Sequence, residues 1–105
     1  MIIQFNSAHH VNATEGLQAK ISGLLTEKLA RFNEQIAKLD VHFTDENGSK
    51  PGLNDKRCVL EAHIDGMQPI VTKNHGHNYE KAAEGAIDKL KAALVSALER
   101  SNKHQ

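Results

Sequence analysis

Tryptophan is absent from this chain and aromatic residues make up only 4% of it, so the core must be aliphatic. There is a single cysteine, Cys58, which has no partner for an internal disulfide. A reducing, cytoplasmic setting is the expectation. No apolar run approaches the ~20 residues that cross a bilayer, and no membrane association is expected. Met1-Ile2-Ile3-Gln4-Phe5 has neither a basic flank nor a small-residue cleavage site, so no signal peptide is expected. Net charge is also missing, because 13 Lys+Arg balance 13 Asp+Glu. Dedicated nucleic-acid binders usually carry a basic excess, since phosphate neutralisation supplies most non-specific affinity. Any RNA binding must therefore rest on where the charges sit. Seven histidines add positive charge below about pH 6.5.

What is present is ordinary for one globular unit. The chain has 105 residues, 39% of them hydrophobic and 25% charged, which predicts a single domain over 1–105. It shows no internal repeat and no low-complexity segment.

Hydrophobic periodicity predicts six elements. Ile3 and Phe5 alternate with Gln4 and Asn6 in a short strand ending near Ser7. Thr14 reads as an N-cap, and Leu17, Ile21, Leu24, Leu25, Leu29 and Phe32 then form one apolar stripe of a helix ending near Asn33 or Glu34. Leu39, Val41 and Phe43 alternate with Lys38, Asp40, His42 and Thr44, which predicts a strand with one dry and one wet face. Asn47-Gly48 and Pro51-Gly52 mark a loop over 45–55. Cys58, Leu60, Ala62 and Ile64 form the clearest alternation. Asp65-Gly66 closes a hairpin onto a strand over 68–73, where Pro69 demands an edge or a strand start. A second helix is predicted from about Asn78 to Arg100, with a stripe through Tyr79, Ala82, Ala83, Ala86, Ile87, Leu90, Ala93, Leu94, Ala97 and Leu98, followed by a frayed end over 101–105. The fold class is α+β, in the order β-α-β-β-β-α. One apolar face per sheet and one stripe per helix predict a four-stranded sheet with both helices packed on one face.

Few residues announce chemistry. There is no Gly-x-Ser-x-Gly elbow, no Gly-x-x-x-x-Gly-Lys phosphate loop and no His-Glu-x-x-His pair. Cys58 points inward on its strand and reads as a structural thiol rather than a nucleophile. No enzymatic activity and no cofactor are expected. His9-His10 and His75-Gly76-His77 are close pairs, and His42 and His63 are expected to neighbour each other on the outward sheet face. None has a matching Cys or carboxylate at a recognised ligand spacing, so no metal site is expected. RNA contact has more support. Lys28 and Arg31 are three apart on one side of helix one, Lys89 and Lys91 lie on helix two, and Lys56-Arg57 opens the third strand. These six could meet phosphates, although the face of any helix opposite its apolar stripe also carries lysines. The outward sheet face lacks the aromatics on which bases stack.

The segment Asn78-Tyr79-Glu80-Lys81-Ala82-Ala83-Glu84-Gly85-Ala86-Ile87-Asp88-Lys89-Leu90, read with His9-His10-Val11, Thr14 and Thr26-Glu27-Lys28-Leu29-Ala30-Arg31-Phe32, resembles the short ribosome hibernation-promoting factors, also called the ribosome-associated inhibitor or sigma modulation protein family. The stretches Asp45-Glu46-Asn47, Asn54-Asp55-Lys56-Arg57-Cys58, Glu61-Ala62 and Gly66-Met67-Gln68-Pro69-Ile70 resemble a divergent branch of it. The resemblance implies the same fold. It also implies binding to the small ribosomal subunit, where basic residues on the helices meet ribosomal RNA, mRNA and tRNA are excluded, and translation is blocked in starvation or stationary phase. It implies no small-molecule substrate. Two departures stand out. The late second helix reads Ala92-Ala93-Leu94-Val95-Ser96-Ala97-Leu98 where typical members are rich in Lys and Arg. The C-terminal extension of long members is missing, so no ribosome dimerisation through a tail is expected. Three alternatives stay open: a protein-interaction module that has lost RNA affinity, a double-stranded-RNA-binding domain, and a histidine-based metal or pH sensor. Asn78-Tyr79-Glu80-Lys81 is a poor match to the lysine-rich last helix of the second.

Overall fold

A computed structural model describes residues 1–7, 14–45 and 56–103 of the chain. Its elements are β1 (Ile2–Ser7), α1 (Glu15–Lys28), a single 3-10 turn (Ala30–Phe32), β2 (Ile36–Asp45), β3 (Lys56–Ile64), β4 (Ile70–Gly76) and α2 (Tyr79–Lys103). The four strands form one sheet in the order β1-β2-β3-β4. β1 runs parallel to β2, and the other two pairings are antiparallel. The predicted α+β class, element order and four-stranded sheet are all present. His9-His10-Val11 and the turn formers Asn47-Gly48 and Pro51-Gly52 lie outside the described residues.

Each strand presents alternate residues to the helices. Leu39, Val41 and Phe43 of β2 and Cys58, Leu60, Ala62 and Ile64 of β3 are all buried. Ile36 also points inward, which strict alternation with Leu39 forbids. A bulge resolves this, because the register against β3 shifts between Ile36 and Lys38 and the extra residue turns Ile36 back into the core. β4 is an edge strand that runs from Ile70 to Gly76 rather than over 68–73, because Pro69, which has no N–H for the ladder, stands just before it. Gly66 makes the β3–β4 turn with φ 79°, a conformation most side chains avoid.

α1 begins where expected. Thr14 Oγ1 accepts the Leu17 N–H at 3.1 Å, and Glu15 sits in the first turn. It ends at Lys28 rather than near Asn33, because Leu29 leaves helical geometry (φ −106°, ψ 18°) and a 3-10 turn follows. Residues three apart stay on one face in either helix type, so the turn keeps Leu29 and Phe32 buried together.

α2 is capped by Asn78, whose Oδ1 accepts the Lys81 N–H at 2.7 Å. It runs to Lys103, three residues beyond the predicted end. It lies over β3 and β4, and small residues let it come close. Ala82, Ala83 and Ala86 are fully buried, and Thr72 Oγ1 donates to Ala86 O at 2.9 Å. A Cβ on Gly85 would overlap the Asn74 amide, and one on Gly76 would stand 2.7 Å from the Ala82 backbone nitrogen. Much of the segment Asn78–Leu90 is therefore small because a helix must settle on a sheet.

Candidate nucleic-acid interface

The two helices lie side by side on one face of the sheet and run in the same direction. Lys20 Nζ lies 3.0 Å from Glu80 Oε1, and Lys28 Nζ lies 3.4 Å from Asp88 Oδ1. The same eight-residue step separates the partners on both helices, so the register is parallel. A cationic edge of α1 thus meets an anionic edge of α2. Farther down the same seam, Arg31, Phe32 and Gln35 face Val95, Leu98 and Glu99 across a cleft of about 240 Å³. The Arg31 guanidinium sits 4.9 Å from the centre of the Phe32 ring, its charge open to solvent.

The six cations expected to meet phosphate do not share one surface. Lys28 and Arg31 lie along the seam. Lys91 falls between Asp88 and Val95 on the flank of α2 that faces α1, is exposed, and makes no ion pair among the described residues. Lys89 lies two residues from Lys91, about 200° around the helix. It therefore points to the other flank, where its Nζ donates to Lys73 O at 3.0 Å on the β4 edge. Lys56 stands at the far end of the sheet, half-buried, with its Nζ 3.0 Å from Asp45 Oδ2 and 5.9 Å from the Tyr79 ring centre. Arg57 projects from the face of the sheet turned away from the helices, since its neighbour Cys58 points inward. Lys28, Arg31 and Lys91 form one line, while Lys56, Arg57 and Lys89 stand apart from it.

The two ion pairs between the helices are weak. Lys28 and Asp88 are 38% and 69% exposed, and such pairs contribute about 0–1 kcal/mol. A phosphate can therefore replace Asp88 as the partner of Lys28 at little cost.

The outward face of the sheet carries no aromatic side chain among the described residues. It presents Lys38, Asp40 and His42 from β2 beside Val59, Glu61 and His63 from β3. His42 and His63 are not cross-strand neighbours: His42 opposes Val59 and His63 opposes Lys38, with the Asp40–Glu61 pair between them. His63 Nε2 instead lies 3.2 Å from Asp40 Oδ2. The signal for this grouping was present as carboxylate-x-His on two strands, Asp40-x-His42 and Glu61-x-His63. Only the register brings them together.

Cys58 is fully buried, and burial pushes its thiol up to about 12. The thiolate is the reactive form. We expect alkylation of the native chain at pH 8 to run at least about a hundredfold slower than that of the urea-unfolded chain. Equal rates, followed by mass spectrometry, would contradict a structural thiol.

No described helix is long and apolar enough to cross a membrane. No curated protein matches the chain significantly. Among solved structures, a ribosomal subunit interface protein from Coxiella burnetii superposes with a TM-score of 0.74 at 18% identity, covering 94% of this chain and 99% of that one. The N-terminal domain of Protein Y from Thermus thermophilus gives 0.64 at 14% identity, covering 89% and 94%. At these identities the likeness is one of fold. The family model described as sigma 54 modulation protein / S30EA ribosomal protein matches residues 5–102, nearly the whole length, and the chain belongs to this family, that of the ribosome hibernation-promoting factors.

Proposed function

We propose that this chain is a ribosome-associated hibernation factor and not an enzyme. It binds ribosomal RNA of the small subunit in the decoding region and excludes mRNA and tRNA by occupying their path. The reading rests on family membership together with one structural observation: Lys28, Arg31 and Lys91 line a single seam between two parallel helices. Such a line suits a phosphate backbone, with Arg31 offering a planar fork and the lysines point charges. Lys89, Lys56 and Arg57 reach RNA only where it wraps past the β4 edge or the far end of the sheet. Cytoplasmic location and action in starvation or stationary phase follow from the same reading.

With few phosphate contacts, affinity must be modest and strongly salt-dependent only in proportion to their number. The test is co-sedimentation of the purified chain with small ribosomal subunits, with and without bound mRNA and tRNA. Binding that fades with salt and is lost when mRNA and tRNA fill the channel is expected. A protein-interaction module is the second reading. It is favoured by the zero net charge and by the engagement of Lys20 and Lys28 with α2 carboxylates. It requires salt-insensitive binding to a protein and none to ribosomes.

A further inference from the structure

We propose that the outward face of the sheet holds a binding site for a divalent first-row cation of the zinc type, with Asp40, His42 and Glu61 as its ligands. One potential ligand atom from each of the three lies within 4.8 Å of the other two. The strands dictate this arrangement. Asp40 and His42 are two apart on β2 and so share a face, and Glu61 is the direct cross-strand partner of Asp40.

A second observation concerns the same carboxylate. Asp40 is the one charged residue among the described residues that is buried, at 8% exposure. Its Oδ1 is closed off from solvent and has no hydrogen-bond partner. The nearest cation to that oxygen is the Lys38 ammonium, 3.5 Å away on a side chain that is 45% exposed. Buried carboxylates are ordinarily paired or bound to metal. The other oxygen, Oδ2, lies 3.2 Å from His63 Nε2, and that ring also stands 3.7 Å from Glu61 Oε1. His63 thereby occupies the position of an outer hydrogen-bonding partner that orients a ligating carboxylate.

The donor set decides the class of ion. Imidazole nitrogen with carboxylate oxygen suits zinc and its neighbours, whereas calcium and magnesium favour oxygen alone. Tetrahedral zinc with bonds of about 2.0–2.2 Å places its ligand atoms about 3.3–3.6 Å apart. His42 and Glu61 are only half-buried, so rotation of their side chains can close the gap. The site lies on the opposite side of the sheet from the helix seam, and its test needs no ribosome.

The experiment is calorimetric titration of zinc chloride into the full chain, with circular dichroism to confirm that each variant is folded. Wild type is expected to take up one equivalent. His42→Gln and Glu61→Gln are each expected to weaken uptake tenfold or more, while the double variant His75→Gln with His77→Gln binds as wild type does. Three results would overturn the site: no uptake by wild type, wild-type affinity in folded His42→Gln and Glu61→Gln, or loss of uptake in the His75, His77 double variant.

Discussion

Replacing Lys28 and Arg31 together with Glu is expected to weaken association with the small ribosomal subunit about a hundredfold or more while the domain stays folded. A charge-assisted hydrogen bond contributes about 1.5–3 kcal/mol, and two are removed here. Reversal of sign adds repulsion from phosphate. Two lost contacts should also flatten the dependence of log affinity on log salt by about 1.4–1.8, taking 0.7–0.9 per phosphate. The structural cost is small by comparison. The Lys28–Asp88 pair is exposed and contributes about 0–1 kcal/mol. Arg31 loses its position over the Phe32 ring, about 0.5–1 kcal/mol at an exposed site. A urea melt that stays cooperative, beside lost co-sedimentation, is the expected pair of results. Wild-type binding by the folded double variant would show that the helix seam does not meet RNA.

The second large effect concerns stability. Phe43 is fully buried and is the largest such side chain in a core poor in aromatics. Its ring lies 6.3 Å from that of Phe5 on β1, nearly parallel, and 5.3 Å from that of Tyr79 in an edge arrangement. It thus ties β1, β2 and the first turn of α2 together. Phe43→Ala is expected to cost about 3–5 kcal/mol from lost burial and an unfilled cavity. Small domains hold only about 5–15 kcal/mol in total, so the variant should sit near the edge of folding. Urea unfolding would show it as a large fall in midpoint at unchanged slope. A loss below about 1 kcal/mol would mean that the three rings are not a shared core.

The fold was legible where side-chain period alone decides it. Cys58, Leu60, Ala62 and Ile64 alternate without a break, and all four are buried. The α2 stripe from Ala82 to Ala97 likewise needed only the helical period. The errors came where the backbone changed period. The stripe through Leu29 and Phe32 reads as α-helix, but a 3-10 turn satisfies the same burial and the same spacing. Ile36 and Leu39 break strand parity, and a bulge repairs it.

The candidate site was less legible for a different reason. A lysine on a helix announces only the face away from its own apolar stripe. Lys28 became a seam residue because α2 lies parallel to α1 and sets Asp88 beside it. Arg57 went to the opposite face because Cys58 had to go inward. Asp40 and Glu61 met because a hairpin register placed them so, twenty-one residues apart in the chain. Such relations belong to the packing of elements and have no local signature.

The most direct test of the ribosome reading is co-sedimentation of the purified chain with small subunits across rising salt. Phosphate contacts at the helix seam predict association at low salt that declines as a straight line of log affinity against log salt. No association at low salt, or association indifferent to salt, would contradict the account.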